Sequence, residues 1–452
     1  MNRLHIMLNN RRRFVISAAI AAVLVLCAGG ANAVTPLTVR CVTKTSASPN
    51  PSCTALTTYS TIQAAVTAAA SGDIIVVGPG TYTEYVTINT DSLSLFGAQA
   101  GKDAREDRHD SKKESTVNAT GTGYPTITIN APFVVIDGFT IQGGTGVFPF
   151  SAGIFLSGGQ GTQVLNNIIE ANSTGVFLIG ATGNVVERNL IKNNNGGAGL
   201  VVGCGVAALE NEFLSISDNE FVGNHAAAIS ILDAEFTTMT NNTSENDGAF
   251  AVFLGTVGNL FSHNRGRNFG AKGLLPVSLY GPSGPDADAA VDIGFGNEFL
   301  EISHNDLEEG EGSISHGIAF TTIFGTSSDS EGVVVKDNRI KGFKDNGIVA
   351  ETDTTVSPTL GMTRYSSIVA NEAEDNGQDG IFIQGADDKN SNVSLFDNEA
   401  EGNHVFDCQD TSLATGPGYT LGTHNTWFNN IGNLSNPRGL CTPGRGHDHD
   451  WR

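Results

Sequence analysis

An asparagine-containing motif recurs through the last two thirds of the chain. Residues 164–200 contain two copies, in which Asn167 and Asn189 are each followed by isoleucine two residues later and by a second Asn five residues later. The two copies begin 22 residues apart, and a period of 20–50 residues is typical of stacked repeat architectures. The first Asn of the nine copies is Asn167, Asn189, Asn219, Asn241, Asn264, Asn305, Asn338, Asn371 or Asn398.

Each copy consists of short apolar pieces without helical periodicity, so its unit is made of strands. Asn suits the corner between two strands because it adopts the left-handed region and bonds its own backbone. When coils stack about 4.8 Å apart, equivalent Asn amides can also bond one another. We therefore predict an all-β, right-handed parallel β-helix with a minimum coil of 22 residues, stabilised by these nine Asn. A leucine-rich repeat has a similar period, but the chain lacks its L-x-x-L-x-L phrase.

Residues 1–33 have the features of a signal peptide. Arg11–Arg13 give a positive segment, residues 14–26 are mainly apolar, and Ala31-Asn32-Ala33 offers a small-residue cleavage site. We expect export by the general secretory route, with the twin-arginine route as the alternative. The mature protein is then secreted, periplasmic or held at the cell surface. We expect no membrane span, because no later stretch is long and apolar enough.

A capping helix is predicted at residues 60–71, ahead of the repeats. Ser60 and Gln63 have the spacing of a capping box, and the apolar residues that follow fall on one helical face. A solenoid needs its open end covered, and this helix is suitably placed. We predict a β-helix domain over residues 34–403, including this helix, and a C-terminal cap and tail over residues 404–452.

Five cysteines follow the signal peptide, and in an exported protein they favour disulfides. Cys41 and Cys53 would close a short N-terminal loop. Cys408 and Cys441 would bracket the C-terminal end. Cys204 lies in an apolar run and is predicted to be a buried thiol.

The chain is strongly acidic, with 25 Lys and Arg against 47 Asp and Glu, a formal net charge of −22. Because phosphate binding needs a basic surface, this balance argues against a nucleic-acid partner. It also disfavours a polyanionic sugar chain, unless a divalent ion or a local basic patch bridges the two. We expect a monomer by default.

Residues 61–88, residues 93–107 and the later Asn phrases together resemble the pectate-lyase-like superfamily of right-handed β-helix proteins. The resemblance covers nearly all of the mature chain. It implies the fold but leaves the activity open, since the family includes polysaccharide lyases, glycoside hydrolases, uronan epimerases and members without known chemistry.

Charged residues follow the ladder Asn in most copies. The second residue after each Asn is predicted to point inward, and the first and third to point outward. This outer face is either a solvated sheet surface or a groove for carbohydrate or cations. The charged members are Glu170, Lys192, Arg265, Arg267, Asp306, Glu308, Arg339, Lys341, Glu372, Glu374, Glu399 and Glu401.

The candidate catalytic residues are His316, Arg339, Lys341, Glu372 and Glu399. His316-Gly and Arg339-x-Lys341 resemble motifs of polygalacturonases, but the acidic pair expected before the His is missing. Inverting hydrolysis requires two carboxyls about 6.5–9.5 Å apart, which adjacent coils of the β-helix could supply.

A calcium site is the remaining candidate. Asp286, Asp288 and Asp292 lie in a long insertion and offer the oxygen ligands that Ca²⁺ prefers. A β-eliminating lyase would combine such an ion with a basic Arg or Lys. Insertions at 276–297, 324–332 and 351–365 are predicted loops, and in solenoids such loops often build the binding face.

Two functions are therefore expected from the sequence. The first is an exported protein that binds or processes polysaccharide at the cell surface. The alternative is a non-catalytic extracellular scaffold or adhesion module.

Overall fold

The structure is a computed structural model. It describes residues 38–44, 58–106, 108, 110–119, 123–145, 151–195, 203–270, 289–294, 296–310, 314–321, 330–350, 363–384, 390–411 and 424–443. Residues 1–37 form a unit of their own and lie outside these ranges, so the signal peptide stays a prediction. In the described residues, no helix combines the length and the apolar character needed to cross a bilayer.

Three long parallel sheets run side by side, and successive strands of the chain pass from one sheet to the next. Sheet A contains Thr58–Tyr59, Val39–Val42, Ile74–Val77, Ser94–Phe96, Val135–Asp137, Gln163–Leu165, Val185–Glu187, Ser215–Ser217, Thr238–Thr240, Leu260–Ser262, Glu301–Ser303, Val334–Lys336, Ser367–Val369, Ser394–Phe396 and Thr426–Phe428.

Sheet B contains Gly80–Tyr82, Ser115–Asn118, Phe139–Gln142, Ile168–Glu170, Leu190–Lys192, Glu220–Val222, Thr243–Glu245, Arg265–Arg267, Asp306–Glu308, Arg339–Lys341, Glu372–Glu374, Glu399–Glu401, Asn430–Ile431 and Cys441–Thr442. Sheet C contains Val86–Ile88, Ile127–Ile129, Ala152–Ser157, Thr174–Ile179, Cys204–Leu209, Ala227–Leu232, Ala251–Leu254, Ala289–Ile293, His316–Phe320, Ile348–Ala350, Asp379–Ile383, Phe406–Asp410 and Ser435–Asn436. Ser330–Glu331 and Thr363–Arg364 pair in a small fourth sheet.

The core lies between the three sheets. Equivalent residues of successive coils pair in register, as Ile169 pairs with Ile191 and Ile191 with Phe221. These three side chains are fully buried in the main apolar cluster, as the predicted alternation required. Every coil therefore contributes apolar side chains to one continuous core, which grows by adding coils.

The Asn ladder connects the coils at the corner between sheets A and B. Oδ1 of Asn305 accepts hydrogen bonds from the backbone N–H and from Nδ2 of Asn264, at 3.0 and 3.1 Å. Nδ2 of Asn305 donates to the carbonyl of Phe261 at 3.1 Å and to Oδ1 of Asn338 at 2.8 Å. Each buried amide thus satisfies polar groups of its own and neighbouring coils, which the turning backbone leaves unpaired.

The structure corrects one member of the predicted ladder. Asn242, rather than Asn241, accepts the hydrogen bonds from Asn219, at 3.0 Å each. Asn241 instead takes the left-handed corner position before the ladder, with φ of 56°. The other eight predicted residues belong to the ladder, and Asn430 extends it by one coil.

The N-terminal helix, α1, covers Ile62–Ala68, which is shorter than the predicted 60–71. Its N-cap is Thr61, whose hydroxyl accepts from the N–H of Ala64, so the predicted cap at Ser60 is wrong. Glu84 accepts the N–H groups of Ile62 and Gln63, at 2.9 Å each, and so replaces the expected capping box. The helix buries Ile62, Ala65 and Val66 against the core.

A disulfide joins Cys408 to Cys441, as predicted. Cys41 is also disulfide-bonded, whereas Cys53, its expected partner, lies outside the described residues. Cys204 is a buried thiol, and burial raises its pKa to about 12. Parallel strand pairing continues beyond residue 403 as far as Thr442.

Candidate functional site

Sheet B carries two rows of charged side chains on its outer face. In the first row the register places Arg265, Asp306, Arg339, Glu372 and Glu399 opposite one another on five successive coils. The second row lies two residues further along each strand. It consists of Arg267, Glu308, Lys341, Glu374 and Glu401. The charges alternate over the first four coils, and the last two coils are both acidic.

The alternating part of the face is ion-paired between coils. Arg265 contacts Asp306 at 3.3 Å, and Arg339 contacts Asp306 at 3.2 Å and Glu374 at 3.4 Å. Lys341 contacts Glu374 at 3.4 Å. Pairs as exposed as these contribute only about 0.2–1 kcal/mol each. Their main effect is to place Arg265, Arg339 and Lys341 each beside a carboxylate of a neighbouring coil.

The acidic end behaves differently, because Glu372 and Glu374 lie two residues apart on one strand. Partial burial, hydrogen bonding to Glu374 and the charge of Glu374 raise the pKa of Glu372 to about 7. Burial also opposes ionisation of Glu374, but the interactions with Glu372, Lys341 and Arg339 outweigh it and lower its pKa. Glu372 therefore titrates close to neutral pH beside an ionised Glu374.

This pair is not arranged as the two carboxyls of a glycoside hydrolase are. Those enzymes place one carboxyl on each side of the scissile bond, roughly 5 Å apart in retaining enzymes and roughly 6.5–9.5 Å apart in inverting enzymes. Glu372 and Glu374 lie on the same strand and interact with each other, so they would approach a sugar from one side. Glu399 lies opposite Glu372 on the next coil and adds a further carboxylate to the same face.

Sheet C has a second polar row. The backbone N–H of Asn346 donates to Nδ1 of His316 at 3.3 Å, and that of Asp379 donates to Oδ1 of Asn346 at 3.1 Å. His316 pairs in register with Ala289, which belongs to an apolar cluster separate from the main core. All three polar residues are buried, and burial raises the pKa of Asp379 to about 6.

Asp292 is the described member of the predicted calcium set. It is buried, pairs in register with Val252 and Ala319, and accepts a hydrogen bond from the hydroxyl of Thr321. Asp286 and Asp288 lie outside the described residues. In the part of the chain that the structure describes, no group of three or more His, Cys, Asp or Glu side chains is arranged to hold a metal. The Ca²⁺ site stays a prediction.

The predicted catalytic residues therefore divide between two faces. Arg339, Lys341, Glu372 and Glu399 lie together on sheet B, whereas His316 lies on sheet C. The predicted loops were partly wrong, because 289–293, 330–331 and 363–364 are strands. Several segments outside the described residues adjoin a sheet C strand in the chain. They are 271–288, 322–329, 351–362, 385–389 and 412–423.

Sequence reasoning missed a row of exposed aromatic residues at the corner between sheets C and A. Phe213, Phe236, Phe299 and Tyr365 are each six residues before a ladder Asn, and Phe133 occupies the same corner nearer the N-terminus. The same slot is glycine in four other copies. The sequence signal was that the position six residues before most ladder Asn residues holds either glycine or an aromatic residue.

A family comparison agrees with the sheets and ladder. The model of the right handed beta helix region matches residues 108–244. This protein is a right-handed parallel β-helix protein. The expected resemblance and fold class are thereby confirmed, and the match covers the N-terminal part of the Asn ladder.

Similarity to other proteins is limited to part of the sequence or to the fold. A cell surface glycoprotein of Methanothermus fervidus is 34% identical over 115 residues, which are 25% of this chain and 16% of that protein. The β-helix protein thus spans a small part of that relative's length.

Three solved structures illustrate the structural neighbours. The periplasmic alginate epimerase AlgG is 13% identical, with a TM-score of 0.46 over 80% of this chain and 77% of that one. The Dettilon tailspike protein is 14% identical, with a TM-score of 0.46 over 70% and 62%. DFA-IIIase from Arthrobacter chlorophenolicus A6, without its lid, is 12% identical, with a TM-score of 0.44 over 66% and 84%.

Proposed function

We propose that the β-helix protein is exported and binds polysaccharide at the cell surface, through the acidic end of the sheet B face. The observation that carries this proposal is the position of Glu372 and Glu374 on one strand, where Arg339 and Lys341 each lie 3.4 Å from Glu374 and the pKa of Glu372 is raised to about 7. Glu399 continues the site on the next coil.

The donors and acceptors of this face suit sugar hydroxyls. A hydroxyl both donates and accepts hydrogen bonds, and the face offers the partly protonated Glu372, the guanidinium of Arg339 and ionised Glu374. From Asp306 to Glu401, successive coils place such polar side chains about 4.8 Å apart along the axis of the solenoid. An extended polymer that lies along the axis would therefore meet a new set of partners at each coil.

Processing of the bound chain is the extension of this proposal. Glu372 has a pKa of about 7, which is the range in which a general acid is most effective at neutral pH. Since Glu374 would approach a sugar from the same side as Glu372, the second catalytic group would have to come from another coil or from a bound ion.

Export and a surface location have separate support. The predicted signal peptide directs the chain out of the cytoplasm, and the Cys408–Cys441 disulfide fits an oxidising compartment. The partial relative from Methanothermus fervidus carries the name cell surface glycoprotein.

The alternative is a non-catalytic scaffold or adhesion module. The ion-paired ladder from Arg265 to Lys341 favours it, because these basic side chains already have carboxylate partners on neighbouring coils. A scaffold would use the solenoid as a rigid spacer and would bind no sugar at Glu372.

A screen of purified mature protein tests the proposal. It would be mixed with uronate and neutral polysaccharides, with Ca²⁺ or with chelator, and binding and chain cleavage would be measured. Unsaturated ends that disappear with chelator would identify a lyase, and new reducing ends without unsaturation a hydrolase. Binding without product would identify a binding protein. Absence of both binding and cleavage with every polysaccharide tested would favour the scaffold.

Matched variants locate the site. Glu372→Gln keeps the size of the side chain but cannot exchange the proton, so we expect at least a tenfold loss of affinity or rate. Glu245→Gln is the control, because Glu245 lies on the same outer face, in line with Glu374 and four coils away from it, in a different charge environment. Equal effects of both changes would contradict the assignment to Glu372.

A further inference from the structure

Five aromatic residues lie on one corner of the solenoid, and they are called the aromatic row: Phe133, Phe213, Phe236, Phe299 and Tyr365. Each is 47–67% exposed, and each has a φ between 51° and 57°. The residue just before this position on each coil pairs with its equivalent on the next coil, which aligns the row. This pairing runs from Gln160 to Glu331, and then through Arg364 to Ser391. Gly161, Gly183, Gly258 and Gly332 fill the same slot in the intervening coils.

The rings lie along the axis of the solenoid and cover the glycines. Phe213 and Phe236 are stacked, with ring centroids 5.3 Å apart and an interplanar angle of 15°. A Cβ atom added to Gly258 would lie 2.8 Å from the Phe236 ring, and one added to Gly332 would lie 3.0 Å from the Phe299 ring. Each of these rings therefore occupies the space that a side chain on the next coil would need.

The fold does not require aromatic residues in this slot. A bulky residue at positive φ is disfavoured, whereas glycine adopts this conformation without a steric penalty. Exposed rings also lose the benefit of burial, and a row of exposed apolar groups on one corner is a candidate binding surface. Gly183 follows Gly161 in this slot with no ring over it, so the coil can be built without an aromatic residue and the rings offer a ligand surface beyond what the turn requires.

The spacing of the row indicates the shape of this ligand. Phe236, Phe299 and Tyr365 are each two coils apart, which corresponds to about 9–10 Å. Two successive sugars of an extended β-1,4-linked chain span a closely similar length. The apolar face of every second sugar could therefore stack on an aromatic ring, as aromatic faces favour flat apolar partners.

The charges beside the row indicate a neutral chain. Glu212, Glu235, Glu298 and Glu331 immediately precede positions of this slot, and all four are exposed. Carboxylates accept hydrogen bonds from sugar hydroxyls, but they repel the carboxylates or sulfates of an acidic polysaccharide. Val257 lies within this row and Arg364 follows Glu331 beside Tyr365, so the acidic residues flank Phe213, Phe236 and Phe299 in particular.

We propose that the aromatic row is a binding track for an extended, neutral, β-1,4-linked polysaccharide. The inference rests on the proposed function for the class of ligand, but it uses a different surface from the sheet B site. The two surfaces lie at different places around the solenoid, so their contributions are separable by mutation.

The test uses mature protein, cellohexaose and mannohexaose as probes, and isothermal calorimetry. The variant carries Phe236→Gly, Phe299→Gly and Tyr365→Gly, which copy the residue of the intervening coils and should preserve folding. The control is Phe396→Ser, which removes an exposed aromatic residue of sheet A that lies outside the row. Maltohexaose and polygalacturonate serve as ligands of the wrong linkage and the wrong charge.

We expect the unaltered protein and the control to bind at least one β-linked hexamer, and the triple variant to bind it at least tenfold more weakly. If the triple variant still bound the hexamer and Glu372→Gln did not, the binding track would be refuted and the proposed function would be supported. Failure of the unaltered protein to bind any glycan would overturn both. Self-association that the triple variant abolishes would identify a second copy as the occupant and refute the track.

Discussion

Replacement of Asn242 by alanine is expected to weaken the solenoid locally, whereas the same change at Asn241 is expected to have a small effect. The two residues are adjacent in the chain, but only Asn242 is in the ladder. Its Oδ1 accepts the backbone N–H and Nδ2 of Asn219, and its Nδ2 donates to the carbonyl of Ile216 at 3.0 Å and to Asn264 at 3.1 Å.

The magnitude follows from these four hydrogen bonds. Alanine removes all of them and leaves the N–H of Asn219 and the carbonyl of Ile216 without these partners in a buried place. An unsatisfied buried polar group costs about 1–3 kcal/mol, so a loss of about 3–5 kcal/mol is expected for Asn242→Ala. Asn241→Ala should cost only about 1 kcal/mol, because alanine lacks the short polar side chain with which Asn tolerates a positive φ.

Hydrogen exchange is the suitable assay, because a solenoid can open locally without unfolding throughout. We expect the amides between residues 215 and 245 to lose protection strongly in Asn242→Ala and weakly in Asn241→Ala. Urea unfolding of both variants gives the corresponding free energies. Equal destabilisation by the two changes, or a larger effect at Asn241, would refute the ladder register.

Three further predictions concern other parts of the fold. Burial raises the pKa of Asp247 to about 7, so its contribution to stability is present below about pH 4 and is lost as the pH rises to 7. Asp247→Asn should remove this pH dependence of the free energy of unfolding in urea. At pH 8 the same change should stabilise the protein by up to about 4 kcal/mol. Gly317→Ala should lower the free energy of unfolding by about 1–3 kcal/mol, because its Cβ would lie 2.2 Å from Ile340. Replacing both Cys408 and Cys441 by serine should lower it by about 3–4 kcal/mol, since the disulfide closes a separation of 33 residues, and should make the C-terminal coils sensitive to protease.

The Asp247 prediction also tests how the second corner of each coil is built. Asp247 occupies a position at which two earlier coils have Asn194 and Asn224, and it accepts the N–H of Asn224 at 2.6 Å. Ser244 donates to the other oxygen of the same carboxyl at 2.6 Å. If Asp247→Asn left the pH dependence unchanged, another titrating group would have to be its source.

The sequence predicted the repeat because one coil length and one corner residue recur. Asn is compatible with a left-handed corner and with an amide ladder, so a regular Asn spacing is sufficient to predict stacked strands. The alternation after each Asn then predicted which side chains are buried, as at Ile169 and Phe221. These features are local, and every coil repeats them.

The register between coils was decided by the tertiary structure. Asn241 and Asn242 are equally suitable from the sequence, and only the hydrogen bonds to Asn219 select the second. The same limitation applied to the helix, whose N-terminus is capped by Glu84 from a later segment. A contact between residues distant in the chain leaves no periodic trace in the sequence.

The grouping of functional candidates was also decided by the tertiary structure. Arg339 and Glu372 share a face because their coils are neighbours, whereas His316 lies on another sheet. The sequence by itself determined the coil, its corners and its core. The tertiary structure decided which outward side chains meet and where Phe236 and Phe299 line up. Both depend on the stacking of the coils and on the left-handed corners, because these set the direction of every exposed side chain.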